Sequence, residues 1–259
     1  MRVVNHGSDH ATYADDPGDP HYAKFAYSTR TAPGTGVAWS DRAWATGVDG
    51  HAALVDKWGR ATRRGRIMGT ATGKGYVASW HVPRLGASGR ELAGARIVTA
   101  SLVTAAYELR CHLVTASAGW SLREGGHAVA SDVELDCESD ASGAWAVGDG
   151  VRSMVLGVFG YESAGVVRYE GANALGMYSA APYLFARASS GESVHVALHV
   201  LDSGADIRLA GAVDAADVVE VEVSDTQVTA RWAEGSTVTV NLGDLFESRS
   251  TDVSTDATA

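Results

Sequence analysis

Asp217-Val218-Val219-Glu220-Val221-Glu222-Val223-Ser224-Asp225-Thr226-Gln227-Val228-Thr229-Ala230-Arg231-Trp232 is the stretch whose reading decides the fold. Val219, Val221 and Val223 alternate with Glu220 and Glu222, the period of a half-buried strand. Ser224-Asp225-Thr226 has turn chemistry, and Gln227 to Trp232 brings the chain back. Glu234-Gly235-Ser236 turns it again, and Thr237 to Leu242 completes an antiparallel meander.

The same period runs through most of the chain. Strand-like segments cover Ala52–Trp58, Arg66–Val82 with a break at Gly73-Lys74-Gly75, Ala95–Ala106 and Tyr107–Ser117. Further on come Ala128–Cys137, Val151–Phe159, Val166–Tyr169, Pro182–Ala188 and Ser193–Leu201. Thirty glycines against five prolines suit strands joined by tight turns. Ala210–Ala216 reads as a helical turn containing Asp214, and no segment carries an amphipathic helix of three turns. The expected fold is therefore all-β, a large antiparallel two-sheet sandwich with few or no helices. Residues 1–20 read as a polar lead-in loop, 21–246 as the sandwich, and 247–259 as a polar, disordered tail.

Composition narrows the function. With 20% charged and 46% hydrophobic residues the chain is of ordinary globular type. A net charge of −10 disfavours nucleic acid, which needs a basic face. No apolar run approaches the ~20 residues of a membrane span, and Met1 to Gly7 has no apolar core of a signal peptide, so a cytoplasmic location is the default. The two cysteines, Cys111 and Cys137, are no disulfide framework, and Cys111 reads as a buried small hydrophobe.

Two clusters could carry ligand chemistry. The first is His21-Tyr22-Ala23-Lys24-Phe25-Ala26-Tyr27-Ser28-Thr29-Arg30. On a strand, Tyr22, Lys24 and Arg30 share one face while Phe25 and Tyr27 serve the core on the other. Lys24 and Arg30 could neutralise a carboxylate or sulfate, and Tyr22 or His21 could exchange a proton. An aromatic core face with a solvated basic face is the plainer account. In the second cluster, Glu108, Arg110 and His112 alternate along one strand. They could line a polar groove, or simply pair with charges on neighbouring strands.

Metal chemistry has little support. His195 and His199 lie on one face but about 13 Å apart on a strand, too far to share an ion. Asp132, Glu134 and Asp136 share a face that could hold calcium, but the EF-hand pattern is absent. No metal or cofactor is assigned. Of the seven tryptophans, Trp120 and Trp145 read as loop residues able to stack on a sugar.

Lys24-Phe25-Ala26-Tyr27-Ser28-Thr29, Leu102 to Arg110 with His112 and Val114-Thr115, and Glu124-Gly125-Gly126-His127-Ala128-Val129-Ala130 resemble motifs of the bacterial family called domain of unknown function 2264. The resemblance covers roughly residues 20–200 as scattered motifs. It implies an α/α toroid followed by a β-sandwich, a layout similar to heparinase II/III-like polysaccharide lyases, with the saccharide in the cleft between them. This chain would supply only the sandwich, as the rear part of a larger assembly.

The expected function is a non-catalytic or catalytically incomplete sandwich of a carbohydrate-active protein, inactive alone and lyase-like once a toroid completes it. Its expected partners are an oligosaccharide or uronic-acid sugar and the toroid. His21, Tyr22, Lys24, Arg30, Arg110 and His112 are the candidate ligand contacts. A ligand-free interaction domain that stabilises a toroid partner is the alternative, and a stand-alone glycoside-acting enzyme the third.

Overall fold

The computed structural model describes residues 52–247 except 57–61, 64–66, 86–89, 105–106, 117–119, 126–128, 132–135, 149–150, 170–177, 188–190 and 203–212. The expected lead-in at 1–20 and the tail beyond Glu247 lie outside the described residues. Strands dominate. In chain order they are β1 (Ala52–Asp56), β2 (Thr62–Arg63), β3 (Ile67–Gly73), β4 (Tyr76–His81), β5 (Arg84–Leu85) and β6 (Arg90–Glu91). Next come β7 (Arg96–Val103), β8 (Tyr107–Ala116), β9 (Trp120–Gly125), β10 (Val129–Ser131), β11 (Asp136–Ser139) and β12 (Gly143–Gly148). The rest are β13 (Val151–Phe159), β14 (Ser163–Tyr169), β15 (Tyr178–Arg187), β16 (Gly191–Asp202), β17 (Val219–Ser224), β18 (Gln227–Trp232) and β19 (Thr237–Asn241).

An eight-stranded sheet in the order β11-β12-β13-β16-β8-β7-β4-β3 forms the middle of the molecule. Every pairing in it is antiparallel. Its two faces differ. Val98, Ala100 and Leu102 of β7, Leu109, Cys111 and Leu113 of β8, and Val194, Val196, Leu198 and Val200 of β16 point one way. They share one core cluster with Val219, Val228, Ala230, Trp232 and Val240 of the sheet β17-β18-β19. Intervening positions point the other way, where Ile97, Val114 and Ala116 meet Leu122 of β9 and Ala186 of β15. Val155 and Ala197 meet Leu184 of β15 on that same side. Strands β9 and β15 belong to a second sheet, β1-β9-β15-β10, in which β14 pairs with β15.

The antiparallel all-β sandwich expected from the sequence is thus present. The C-terminal meander is a third layer covering the far face of the middle sheet. Its alternation has the expected reason: Val228, Ala230 and Trp232 are buried while Gln227 and Arg231 are exposed. The expected helical turn is a single 3-10 turn at Ala215–Asp217, capped by Asp214, whose side chain accepts from the Ala216 N–H at 2.9 Å. A four-residue helix, α1 (Asp244–Glu247), ends the described chain and takes in the first residue of the expected tail.

Several strands carry no readable alternation. β2, β5 and β6 have two residues each and form a small sheet of their own. β12, Gly-Ala-Trp-Ala-Val-Gly, is too rich in small residues to show a period, yet Ala144 and Ala146 are fully buried. Trp120 and Trp145 lie on β9 and β12, and so are not loop residues. Trp145 packs against the main core. Cys111 is a buried free thiol, as its apolar neighbours led one to expect. Burial pushes that thiol up.

Trp232 anchors the meander to the middle sheet at 5% exposure. Trp232→Ala should cost about 3–5 kcal/mol, read as a lower urea midpoint at unchanged slope. A loss under about 1 kcal/mol would contradict the packing of the meander as a layer.

Candidate functional site

Between the middle sheet and the second sheet lies a layer of buried polar side chains. Its origin is local. Strand β8, Tyr-Glu-Leu-Arg-Cys-His-Leu-Val-Thr-Ala, puts Leu109, Cys111 and Leu113 on the meander side and Glu108, Arg110 and His112 on the other. The neighbouring strands repeat the pattern. Thr99 and Ser101 of β7 stand opposite His112 and Arg110. His195 and His199 of β16 stand opposite His112 and Glu108. The second sheet contributes Glu124 from β9.

These groups bond to one another. Glu108 Oε1 accepts from Ser101 Oγ at 2.8 Å and from Arg110 Nε at 2.7 Å, and Glu108 Oε2 accepts from Arg110 Nη2 at 3.2 Å. Arg110 Nη1 reaches across the layers to Glu124 Oε1 at 3.3 Å. His199 Nε2 donates to the same oxygen at 2.8 Å. His112 Nε2 lies 2.9 Å from Glu124 Oε2, a close contact without hydrogen-bond alignment. The other nitrogen of His112 is 2.8 Å from Thr99 Oγ1. Glu124 therefore faces three basic side chains, all from the opposite layer.

The electrostatics follow from burial. Burial by itself would raise the Glu124 carboxyl, but the charge and contact of His112, with the hydrogen bond from His199, hold it well below the usual carboxylate range. Burial would lower the Arg110 guanidinium, and Glu108 and Glu124 more than offset it, so it stays charged. His199 is pushed below its ordinary value by burial and by the Arg110 charge, so it is neutral near pH 7 and donates through Nε2.

His195 extends the layer at its edge. Its Nδ1 lies 2.8 Å from the Gly160 carbonyl, which can only accept, so Nδ1 carries the proton and Nε2 accepts from Ser193 Oγ at 2.9 Å. Burial lowers His195 to about 4. Gly160 has φ +80°, and a Cβ there would sit 2.6 Å from the Val194 carbonyl oxygen and 2.9 Å from His195 Nδ1, so no side chain fits. The Tyr161 ring stands 5.4 Å from the His195 ring. Its buried hydroxyl has no hydrogen-bond partner among the described residues, and burial raises its pKa well above the ordinary value.

Of the six residues singled out in the sequence, the structure places two. Arg110 and His112 share this layer at 2% and 1% exposure. His21, Tyr22, Lys24 and Arg30 lie outside the described residues, as do Asp132 and Glu134 of the acidic strand. Glu124, Thr99, Ser101 and Tyr161 were not legible as partners, because the first three lie on different strands from the residues they face and Tyr161 lies in the connection between β13 and β14. His195 and His199 do share a face of β16, and they contribute to the layer through different partners. Chemically the arrangement joins two layers through charge. Glu108, Glu124 and His199 are fully buried, beyond reach of a polymer in solvent.

No protein-family model matches the chain, and no curated protein matches it. Among solved structures, the heparan sulfate lyase HepC from Pedobacter heparinus aligns at 11% identity and TM-score 0.49, over 77% of this chain and 31% of that one. The chondroitin AC lyase of Streptomyces coelicolor A3 aligns at 13% identity and TM-score 0.37, over 78% of this chain and 27% of the other. A putative aldose 1-epimerase from Escherichia coli K12 aligns at 9% identity and TM-score 0.35, over 56% and 69% of the two chains. The chain thus spans about a third of the length of the lyases to which it is similar.

Glu124→Ala removes the carboxylate that Arg110, His112 and His199 share and should cost about 3–5 kcal/mol, measured by chemical denaturation. A cost under about 1 kcal/mol would show that the layers do not depend on this carboxylate. Stability should also fall in acid. His195 and His199 bind protons more weakly folded than unfolded, so their contribution is complete above the ordinary histidine value of about 6.5. The His195 part is lost as pH falls through about 4. Glu124 has the same sign at lower pH, since its depressed carboxyl stabilises the fold until it is protonated. Melting temperature should drop steadily from about pH 7 to about pH 5, with a shallower slope in His195→Gln. A flat or rising profile there would contradict the neutral, buried histidines.

Proposed function

We propose that this chain acts as the β-sandwich of a carbohydrate-active, polysaccharide-lyase-like protein and is catalytically incomplete without an α/α-toroid, whether that toroid lies on a longer polypeptide or on a separate one. One observation carries the incomplete half of the reading. Glu108, Arg110, His112, Glu124, His195 and His199 are sealed at 3% exposure or less, each held by a neighbour. They support a rigid frame and not a reactive centre open to a polymer. The carbohydrate half rests on the sequence resemblance of Lys24 to Thr29, of Leu102 to Arg110 and of Glu124 to Ala130.

In this reading Lys24 and Arg30 neutralise the carboxylate of a uronic-acid sugar, with His21 and Tyr22 beside them. Arg110 and His112 stiffen the sheet beneath. Pairing a cation with that carboxylate acidifies the adjacent C–H. A Tyr or His base then removes the proton, a C=C bond forms, and the glycosidic oxygen leaves with its electron pair. The toroid would supply most of the groups for that step.

Thermal melting against uronic-acid oligosaccharides tests the proposal. At a ligand concentration of about 100 times Kd the gain is about 2.7 kcal/mol, or about 5–10 °C for a chain of this size. Lys24→Ala with Arg30→Ala should remove the shift and leave the unliganded melting temperature unchanged. Absence of any shift at millimolar saccharide would overturn the ligand. Release of ultraviolet-absorbing unsaturated uronate by the purified chain alone would overturn the incompleteness.

A further inference from the structure

One end of the middle sheet carries a second polar feature, on the opposite face from the buried layer. Arg96, Thr115 and Glu192 stand opposite one another across β7, β8 and β16. They continue, on the meander side, the rows that begin with Val98, Leu113 and Val194. Here the apolar contact with the meander ends and a cleft of about 230 Å³ opens. Val98 and Leu113 form its floor, and Arg96, Thr115 and Glu192 one wall. Thr226, Gly243 and Asp244 form the other wall.

Both walls are set by bonds of their own. Arg96 Nη2 pairs with Glu192 Oε1 at 3.0 Å, and Arg96 Nε donates to Thr115 Oγ1 at 3.2 Å. On the meander side Asn241 Oδ1 accepts from Thr226 Oγ1 at 2.8 Å and from the Gly243 N–H at 3.1 Å. A Cβ at Gly243 would sit 2.7 Å from Thr226 Oγ1, so the wall needs a bare backbone there. Glu192 Oε2 and the Asp244 carboxylate take no partner among the described residues. The cleft thus combines an anchored guanidinium with carboxylate oxygens that have no partner among the described residues.

That combination selects a ligand class. The volume is below the roughly 300–1,000 Å³ of sites for drug-sized molecules. Ring hydroxyls can donate to Glu192 and Asp244 and accept from Arg96. One cation and two carboxylates leave the lining net negative, which opposes an anion. We propose that this cleft binds a single neutral sugar ring and discriminates against a uronate. The site uses none of the residues assigned to the uronic-acid sugar above and does not rest on the lyase-like reading.

Ligand-observed NMR tests it on the full chain carrying Lys24→Ala and Arg30→Ala, which removes the uronic-acid contacts proposed above, with methyl glucoside, methyl galactoside and methyl mannoside as probes and glucuronate as the anionic comparison. At least one neutral glycoside should saturate within about 50 mM, and glucuronate should bind about tenfold more weakly. Glu192→Gln and Asp244→Asn should each weaken the glycoside about tenfold, the scale of one lost charged hydrogen bond. Both variants alter exposed side chains, so their melting temperatures should match the parent. Failure of all three glycosides to saturate would overturn the proposal. So would glucuronate binding as well as they do, or unchanged affinity in both variants.

Discussion

The Glu124 carboxylate meets Arg110, His112 and His199 across the gap between two β-layers, and the relation of those layers depends on that meeting. A charge moved out of water costs several kcal/mol unless its new partners are close and well placed. Here one carboxylate from β9 stands against basic side chains from β8 and β16. The geometry tolerates little sliding. Shifting β9 by one residue would turn Glu124 outward and take its carboxylate away from Arg110, His112 and His199. An apolar seam would hold the layers together at least as strongly, but would specify their register less sharply.

The middle sheet therefore has two different jobs. Its meander face is a conventional aliphatic core, with Leu102, Leu109 and Leu198 fully buried beneath the C-terminal strands. Each contributes on the order of 1.5–3 kcal/mol. Its other face is part aliphatic and part ionic, with Ile97, Val114 and Ala197 flanking the charged group. Because β8 is buried on both faces, its charged residues are interior ones although they alternate like those of a solvated strand. Rigidity in the interior and open polar space at the sheet's end then fall in different places.

Much of the architecture was legible beforehand, for reasons that differ from element to element. The meander of β17, β18 and β19 announces itself because one of its faces is wet, so period two survives in the residues. Strands β7, β8, β13 and β16 were visible as well, through runs of β-branched and apolar residues. β12 escaped because glycine and alanine fill it, and the two-residue strands because two residues hold no period. The third layer was not visible at all. Local alternation reports that a face is buried and is silent about which sheet buries it.

For the candidate site the division is sharper. Residue order alone determined that Glu108, Arg110 and His112 share a face, because side-chain direction on a strand is a local property. Whether that face met water, ligand or protein was decided only by packing. The partners Glu124, His199 and Thr99 are 12, 87 and 13 positions from His112 along the chain, and strand pairing and layer stacking bring them within 3 Å of one another's atoms or of a shared carboxylate. Charge and periodicity are written into a strand, whereas burial depends on what folds over it, and that is why the same three residues could be read as a groove and are found as a clamp.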